Sequence, residues 1–404
     1  MKIVLTTFGS RGDVQPMLAL SCALQSAGHE ILLAGPPEKA GWAEHLGCPF
    51  YPLGSNLTAF IDSMKDAHSL RAGFSFVQYF RKEVIAQCEV LPEIIAGSDL
   101  VVGASLVVAL STLAERMGIP YRYIAFTPQI LPSGDHPFPA FKTQGLPRWY
   151  NRMTWQIIKM VDQLNLTLLI NKKRTQLGLS TIKDVWLHIL GKDVIVASDK
   201  AIAQVPSDVT PAFVQTGYMH LNQPDRYNQK LEEFLDKGPP PVYAGFGSMP
   251  KRDQARNVSL IVEAARGAGQ RVVIAKFWDE PAEFFQADDI FFIKHYPHLK
   301  LFPRMAAVIH HGGAGTTASC AISGVPQIVV PHVLDQYYWA HRVYSKGLGP
   351  KPIRRSQLTP QRLRVAIQES VTKDRIKRNA KEVSELIKRD NGVEMTLREI
   401  VKVI

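Results

Sequence analysis

The segment His310–Gln336, HHGGAGTTASCAISGVPQIVVPHVLDQ, sets the strongest limit on how this chain can fold. It follows an apolar run, Met305–Ile309, that reads as a buried strand. Two histidines then lead into Gly312, Gly313 and Gly315, and Thr316 and Thr317 open a helical stretch. Glycines let backbone N–H groups approach an anion closely. The helix that follows points its positive end at the same place. A strand, a glycine turn and a helix in this order make a phosphate cradle, with His311 and Thr316 adding donors. About twenty residues further on, Asp335 and Gln336 offer acceptors and donors suited to sugar hydroxyls. A diphosphate site beside a hydroxyl-reading pair points to a nucleotide-sugar pocket.

The same alternation of strand and helix runs through both halves of the chain. In the first half the expected strands are Ile3–Thr7, Glu30–Ala34, Leu100–Gly103, Tyr121–Ala125 and Val194–Ala197. Between them the spacing predicts helices over Pro16–Gly28, where Met17, Leu18, Leu20 and Leu24 share a side, and over Leu106–Gly118. A proline-rich break follows, with one helix at Asp225–Asp236. The pattern then restarts with strands at Val242–Phe246, Arg271–Lys276, Ile290–Ile293, Ala306–His310 and Gln327–Val330. Helices are expected at Gln254–Gly267 and Thr316–Gly324, and Thr359–Ile404 reads as helical. A chain of 404 residues is too long for one compact core. The expectation is α/β: two doubly wound Rossmann-like domains, each binding ligand at the carboxyl ends of its strands and facing an interdomain cleft.

His310–Gln336 resembles the donor-binding signature of a known family, and three further stretches carry the same resemblance. Phe8–Pro16 (FGSRGDVQP), Gly245–Pro250 (GFGSMP) and Asp335–Ile353 (DQYYWAHRVYSKGLGPKPI) resemble, in order and spacing, the inverting glycosyltransferases of the GT-B fold. Within that family the likeness is strongest to sterol glucosyltransferases and to enzymes that glycosylate glycopeptide and macrolide antibiotics. It is weakest over Pro52–Lys183. The resemblance implies an acceptor-binding domain at residues 1–215, a linker at 216–241 and a donor-binding domain at 242–385. A C-terminal helix at 386–404 would return to the first domain.

It further implies that Asp13 is the general base, with Ser10, Gly12 and Ser248 beside the phosphates and sugar. His311, Gly313, Gly315 and Thr316 would hold the diphosphate, and Asp335 and Gln336 the sugar. Tyr296 and His298 would meet the base. Family members with a histidine base orient it with a carboxylate from the strand near Val101–Ser105. This chain has Gly103, Ala104 and Ser105 there, which fits an aspartate acting without an orienting partner. Plant members place a glutamate at the ribose; here that position is Ser319. The expected donor is UDP-glucose, with a dTDP-sugar next. The acceptor is expected to be apolar, against Phe74, Phe76, Phe80, Phe126 and Trp149, although Phe76 and Phe80 also stand at helical core spacing. No resident cofactor and no metal are expected, since no DxD motif is present.

A nucleotide-sugar epimerase or phosphorylase, or a nucleotide-sugar binding protein without turnover, are the rival readings. A dehydrogenase is disfavoured because no GxGxxG follows the first strand. The opening MKIVLTTFGSRGD reads as a strand and not a signal peptide. The four cysteines form no CxxC pair, which fits a reducing cytosol, so the expected location is cytoplasmic. The net charge of +11 gathers in Lys346–Lys402. Solvated helix faces are the first explanation, and a peripheral attraction to anionic membrane lipid is the second. Nucleic acid is not an expected partner, for no aromatic-interleaved basic motif occurs.

Overall fold

A computed structural model describes residues 1–56, 70–223, 228–246, 254–275, 287–294 and 296–402, with the side chains of 70–76 and 254–255 left out. Two parallel sheets organise the chain. The first comprises β1 (Lys2–Phe8), β2 (Glu30–Gly35), β3 (Phe50–Pro52), β4 (Leu100–Ser105), β5 (Tyr121–Ala125), β6 (Asp193–Val196) and β7 (Ala212–Gln215), in the order β3-β2-β1-β4-β5-β6-β7. The second comprises β8 (Val242–Gly245), β9 (Val272–Ala275), β10 (Ile290–Ile293), β11 (Ala307–His310) and β12 (Gln327–Val329), in the order β10-β9-β8-β11-β12.

Apolar content decides this arrangement. Past Lys2, every residue of β1 is buried, as is every residue of β11. Strands buried on both faces need helices on both faces. Ile3, Leu5 and Val102 accordingly pack on Leu18 and Leu24 of the first helix, Arg11–Ser26. Val4, Phe8 and Val101 pack on Leu91, Ile95, Leu110 and Leu113 on the other side. The strand order reverses between β1 and β4 in one sheet and between β8 and β11 in the other. Those two crevices are where doubly wound sheets bind ligands.

Several elements differ from expectation. The first helix starts at Arg11, not Pro16, because Ser10 caps it and Asp13 closes a reciprocal capping box. Pro16 is accommodated inside, at the loss of one bond to the Gly12 carbonyl. The helix expected from Leu106 is Leu110–Met117. The side chain of Gln87 ties down the residues before it, accepting from the Val108 and Ala109 N–H groups and donating to the Leu106 carbonyl. The helices Leu70–Ile95, Arg148–Gln163, Leu166–Gln176 and Val185–Leu190 fall outside the expected elements, and β7 lies within the proline-rich break. Cys22 and Cys48, far apart in sequence, bring their sulfurs to 3.3 Å.

The C-terminal stretch forms three helices, Pro360–Thr372, Asp374–Ile387 and Gly392–Val401. Many of its basic side chains pair with carboxylates three or four residues away, as in Lys373–Glu369, Arg398–Glu394 and Lys402–Glu399. That pattern is the solvated-face arrangement. The last helix packs on the first sheet's core: Ile400 is fully buried with Met17, Leu20 and Leu24, and Thr396 shares a 2.8 Å hydroxyl bond with Thr216. Among the described residues no helix is long and apolar enough to cross a membrane. Replacing Ile400 by Ala should cost about 2–5 kcal/mol, the range for emptying a fully buried aliphatic site. Urea unfolding checks it, and a loss under about 0.5 kcal/mol would mean that this helix docks elsewhere in solution.

Candidate active site

The first crevice holds a carboxylate. β1 ends at Phe8, Gly9 lets the chain turn tightly, and Asp13 sits in the first turn of the helix. A Cβ at Gly9 would collide with the Asp13 carboxyl group, so this approach needs glycine. The Ser10 backbone N–H donates to Asp13 Oδ2 at 2.7 Å and the Ser10 hydroxyl to the same oxygen at 3.0 Å. From the end of β4, the Ser105 hydroxyl donates to Oδ1 at 2.6 Å. A carboxylate offers about four acceptor sites, so three such bonds leave room for one more at Oδ1. The expectation that Asp13 acts without an orienting partner is therefore corrected: Ser105 is that partner. Ser105 itself sits at φ 56°, a left-handed backbone uncommon outside glycine, and its carbonyl accepts from the Tyr123 hydroxyl at 3.0 Å. Burial raises the Asp13 pKa from the usual carboxylate value, and the Ser105 and Ser10 hydrogen bonds oppose the rise. The residue is half-buried, remote from bulk water without being sealed.

The second crevice holds the glycine turn. The Gly312 N–H donates to His310 Nδ1 at 3.0 Å, which leaves His310 Nε2–H to face Gln327 Oε1 at 3.1 Å. His310 is thus a structural residue. Gly312 takes φ 89°, where a Cβ would stand 2.8 Å from Val329 Cγ1. Gly313 caps the helix Ala314–Ile322 with no side-chain bond to its N–H groups. Its first turn, with Gly315 and Thr316, therefore points donors and its positive end into the crevice. His311 stands beside this turn. Burial lowers its pKa to about 4, against a small opposing effect of the Gly245 carbonyl.

Asp335 and Gln336 follow Leu334, another left-handed residue at φ 49°. Trp339 Nε1 donates to Asp335 Oδ2 at 3.1 Å. Burial first, and the nearby charge of Asp13 second, raise the Asp335 pKa to about 7. Gln336 Oε1 accepts from the His332 and Val333 N–H groups at 2.8 and 3.0 Å, fixing the loop before its helix.

Elements of both lobes line one cleft: Arg11 and Gln15 from the first helix, Tyr218 and His220 from the connection, and His298, Gly315 and Ser319 from the second lobe. His298 stacks on Phe302, with ring centroids 4.3 Å apart, and burial lowers its pKa to about 3, helped by the charge of Arg11. Tyr296 turns its hydroxyl to Glu232 at 3.4 Å. Ser248 lies outside the described residues, as do the side chains of Phe74 and Phe76. Phe80 and Phe126 are each 8% exposed and belong to core clusters, and Trp149 is 67% exposed against Tyr150, so none of the three lines this cleft. Among the described residues no three metal-ligating side chains come together. Ser105, Tyr218 and His220 are the site residues that sequence reading missed. For Ser105 a signal existed, its place at the carboxyl end of a strand at the switch point. The other two sit in a proline-rich connection that shows none.

Comparison with known proteins gives the family. Residues 3–133 match the glycosyltransferase family 28 N-terminal domain, and residues 281–404 match the C-terminal domain of erythromycin biosynthesis protein CIII-like proteins. The chain is 34% identical to the vancomycin aglycone glucosyltransferase of Amycolatopsis orientalis, over 86% of this chain and 85% of that one. It is 30% identical to the sterol 3-beta-glucosyltransferase UGT80B1 of Arabidopsis thaliana, over 97% of this chain and 66% of that one. The fold matches the glycosyltransferase VinC, solved with dTDP, at a TM-score of 0.71 and 22% identity, covering 100% of this chain and 99% of that one. The chain belongs to the GT-B glycosyltransferases and is an enzyme of that class.

The buried imidazoles give a direct check. His298 and His311 should stay neutral down to about pH 5 in the empty enzyme, given their lowered pKa values of about 3 and about 4. NMR titration of the ring signals tests this, and a midpoint near the ordinary 6.5 would show that the crevice is open to water.

Proposed function

We propose that this enzyme moves glucose from UDP-glucose to a hydroxyl of an apolar acceptor such as a sterol, polyketide or polyphenol, with inversion at the anomeric carbon. One observation carries the proposal: a hydrogen-bonded carboxylate and an uncapped helix start occupy the switch points of the two parallel sheets. The sterol and vancomycin-aglycone glucosyltransferases among the relatives support the choice of glucose and of a large acceptor.

In this mechanism the acceptor hydroxyl donates its proton to the remaining site on Asp13 Oδ1. The hydroxyl oxygen attacks the anomeric carbon from the face opposite the diphosphate, and Asp13 takes the proton. The bond from the anomeric carbon to the diphosphate oxygen breaks, and its electron pair leaves with the diphosphate. Charge then grows at the phosphate oxygens, where the N–H groups at the start of Ala314–Ile322 and a neutral His311 donate. Donors fixed where charge develops lower the barrier more than they tighten ground-state binding. An α-linked donor gives a β-glycoside. With Gln336 Oε1 committed to the loop, sugar contacts fall to its amide nitrogen and to Asp335. Asp335 can donate as well as accept while its pKa is about 7. The rival donor is a dTDP-sugar, favoured by 31% identity to the dTDP-epi-vancosaminyltransferase of Amycolatopsis orientalis.

Replacing Asp13 by Asn keeps an oxygen for the capping box and removes the base. It should lower kcat by roughly 10²–10⁴-fold with little change in Tm. A rate within about threefold of wild type would remove Asp13 from the chemistry. Replacing Ser105 by Ala takes away the largest interaction holding the Asp13 pKa down. The acid limb of the kcat/KM profile, set by ionisation of the base, should then move to higher pH. A limb that stays in place, measured with UDP-glucose and a sterol or polyphenol, would mean that another group titrates there.

A further inference from the structure

Two polar atoms in the cleft wall have no hydrogen-bond partner among the described residues: the Tyr218 hydroxyl and His220 Nε2. Buried polar atoms are nearly always paired, and an unpaired one in a cleft marks a place where something else binds. Tyr218 is 4% exposed, and its backbone N–H is anchored to Asp199 Oδ1 at 3.1 Å. The two rings meet edge to face with centroids 5.0 Å apart, so each limits the other's rotation. Both belong to the segment that leaves β7 for the second lobe, and both line the same cleft as Gly315, Ser319 and His298.

Gly315 faces this pair closely. A Cβ there would stand 2.5 Å from the Tyr218 oxygen, so the absence of a side chain is what lets the hydroxyl reach the first turn of the helix. Ser319 lies one turn further along the same helix face. Among the described residues no carboxylate lines the cleft to receive the two hydroxyls of a ribose.

Resting on the donor-binding reading above, we infer that the Tyr218 hydroxyl and His220 Nε2 read the 2′- and 3′-hydroxyls of the donor's ribose, making this linker segment the determinant of ribonucleotide over deoxyribonucleotide. A phenol both donates and accepts, and so can each ribose hydroxyl. His220 is kept neutral, since burial lowers its pKa to about 4, and a neutral ring nitrogen can pair with a hydroxyl whichever tautomer it adopts. The deoxy analogue would leave one of the two atoms unpaired in the bound state.

Calorimetric titration of the full chain with UDP and with dUDP isolates this contact, because the two probes differ only in the 2′-hydroxyl. Wild type should bind UDP about tenfold tighter or more. Of Tyr218→Phe and His220→Gln, the variant that loses the 2′-hydroxyl contact should weaken UDP binding and leave dUDP binding nearly unchanged, closing the gap, while the other, losing a 3′-hydroxyl contact common to both nucleotides, should weaken both. Two substitutions are used so that a local repacking at one ring cannot decide the result, and an unchanged Tm qualifies each. Equal affinity of wild type for the two nucleotides, or an equal loss for both nucleotides in each of the two variants, would overturn the inference while leaving a nucleotide-binding enzyme. Binding of neither nucleotide would instead overturn the donor reading itself, and the inference with it.

Discussion

Asp13 is held by hydrogen bonds from two elements that meet only because the strand order reverses between them. Ser10 caps the first helix and grips one carboxyl oxygen; Ser105, at the end of β4, grips the other. The crevice between β1 and β4 makes that meeting possible. A carboxylate placed there is fixed in direction, drawn away from bulk water and still able to accept one more proton-bearing partner. Its field reaches the opposite lobe, where it contributes to the raised pKa of Asp335. The glycine turn occupies the corresponding switch point of the second sheet.

The second lobe solves a complementary problem with few charged groups. In the proposed reading the diphosphate is met by backbone N–H groups and neutral imidazoles of the glycine turn. Such donors are set in place by strand, turn and helix, so little reorganisation is needed as negative charge develops. His310 illustrates the division of labour: its ring braces the turn through the Gly312 N–H and Gln327, while its neighbour His311 faces the crevice region. The last helix, returning to pack Ile400 into the first core, ties the chain's end to the lobe that carries Asp13.

Much of this was legible in the sequence because it rests on local chemistry. The alternation of buried strands with helices and the glycine turn after Ile309 both depend on near neighbours. What escaped depends on distant ones. Ser105 is an ordinary serine until β4 sits beside β1, 92 positions from Asp13. Tyr218 and His220 look like linker residues until the second lobe closes over them. The helix start at Arg11 was obscured by Pro16, which usually marks a boundary and here lies within the helix. Phe80 and Phe126 show the opposite limit: aromatic content marked a pocket, while packing placed both in the core.

The most direct measurement is a crystal structure with an intact, unreactive donor such as UDP-2-deoxy-2-fluoroglucose. The diphosphate should lie on the N–H groups that open the Ala314–Ile322 helix, with the sugar between Asp335 and Asp13. An acceptor hydroxyl placed at about 3 Å from Asp13 Oδ1 should then also reach the anomeric carbon in line with the leaving oxygen. A nucleotide bound away from the glycine turn, or a sugar whose anomeric carbon faces away from Asp13, would contradict this arrangement of the two lobes.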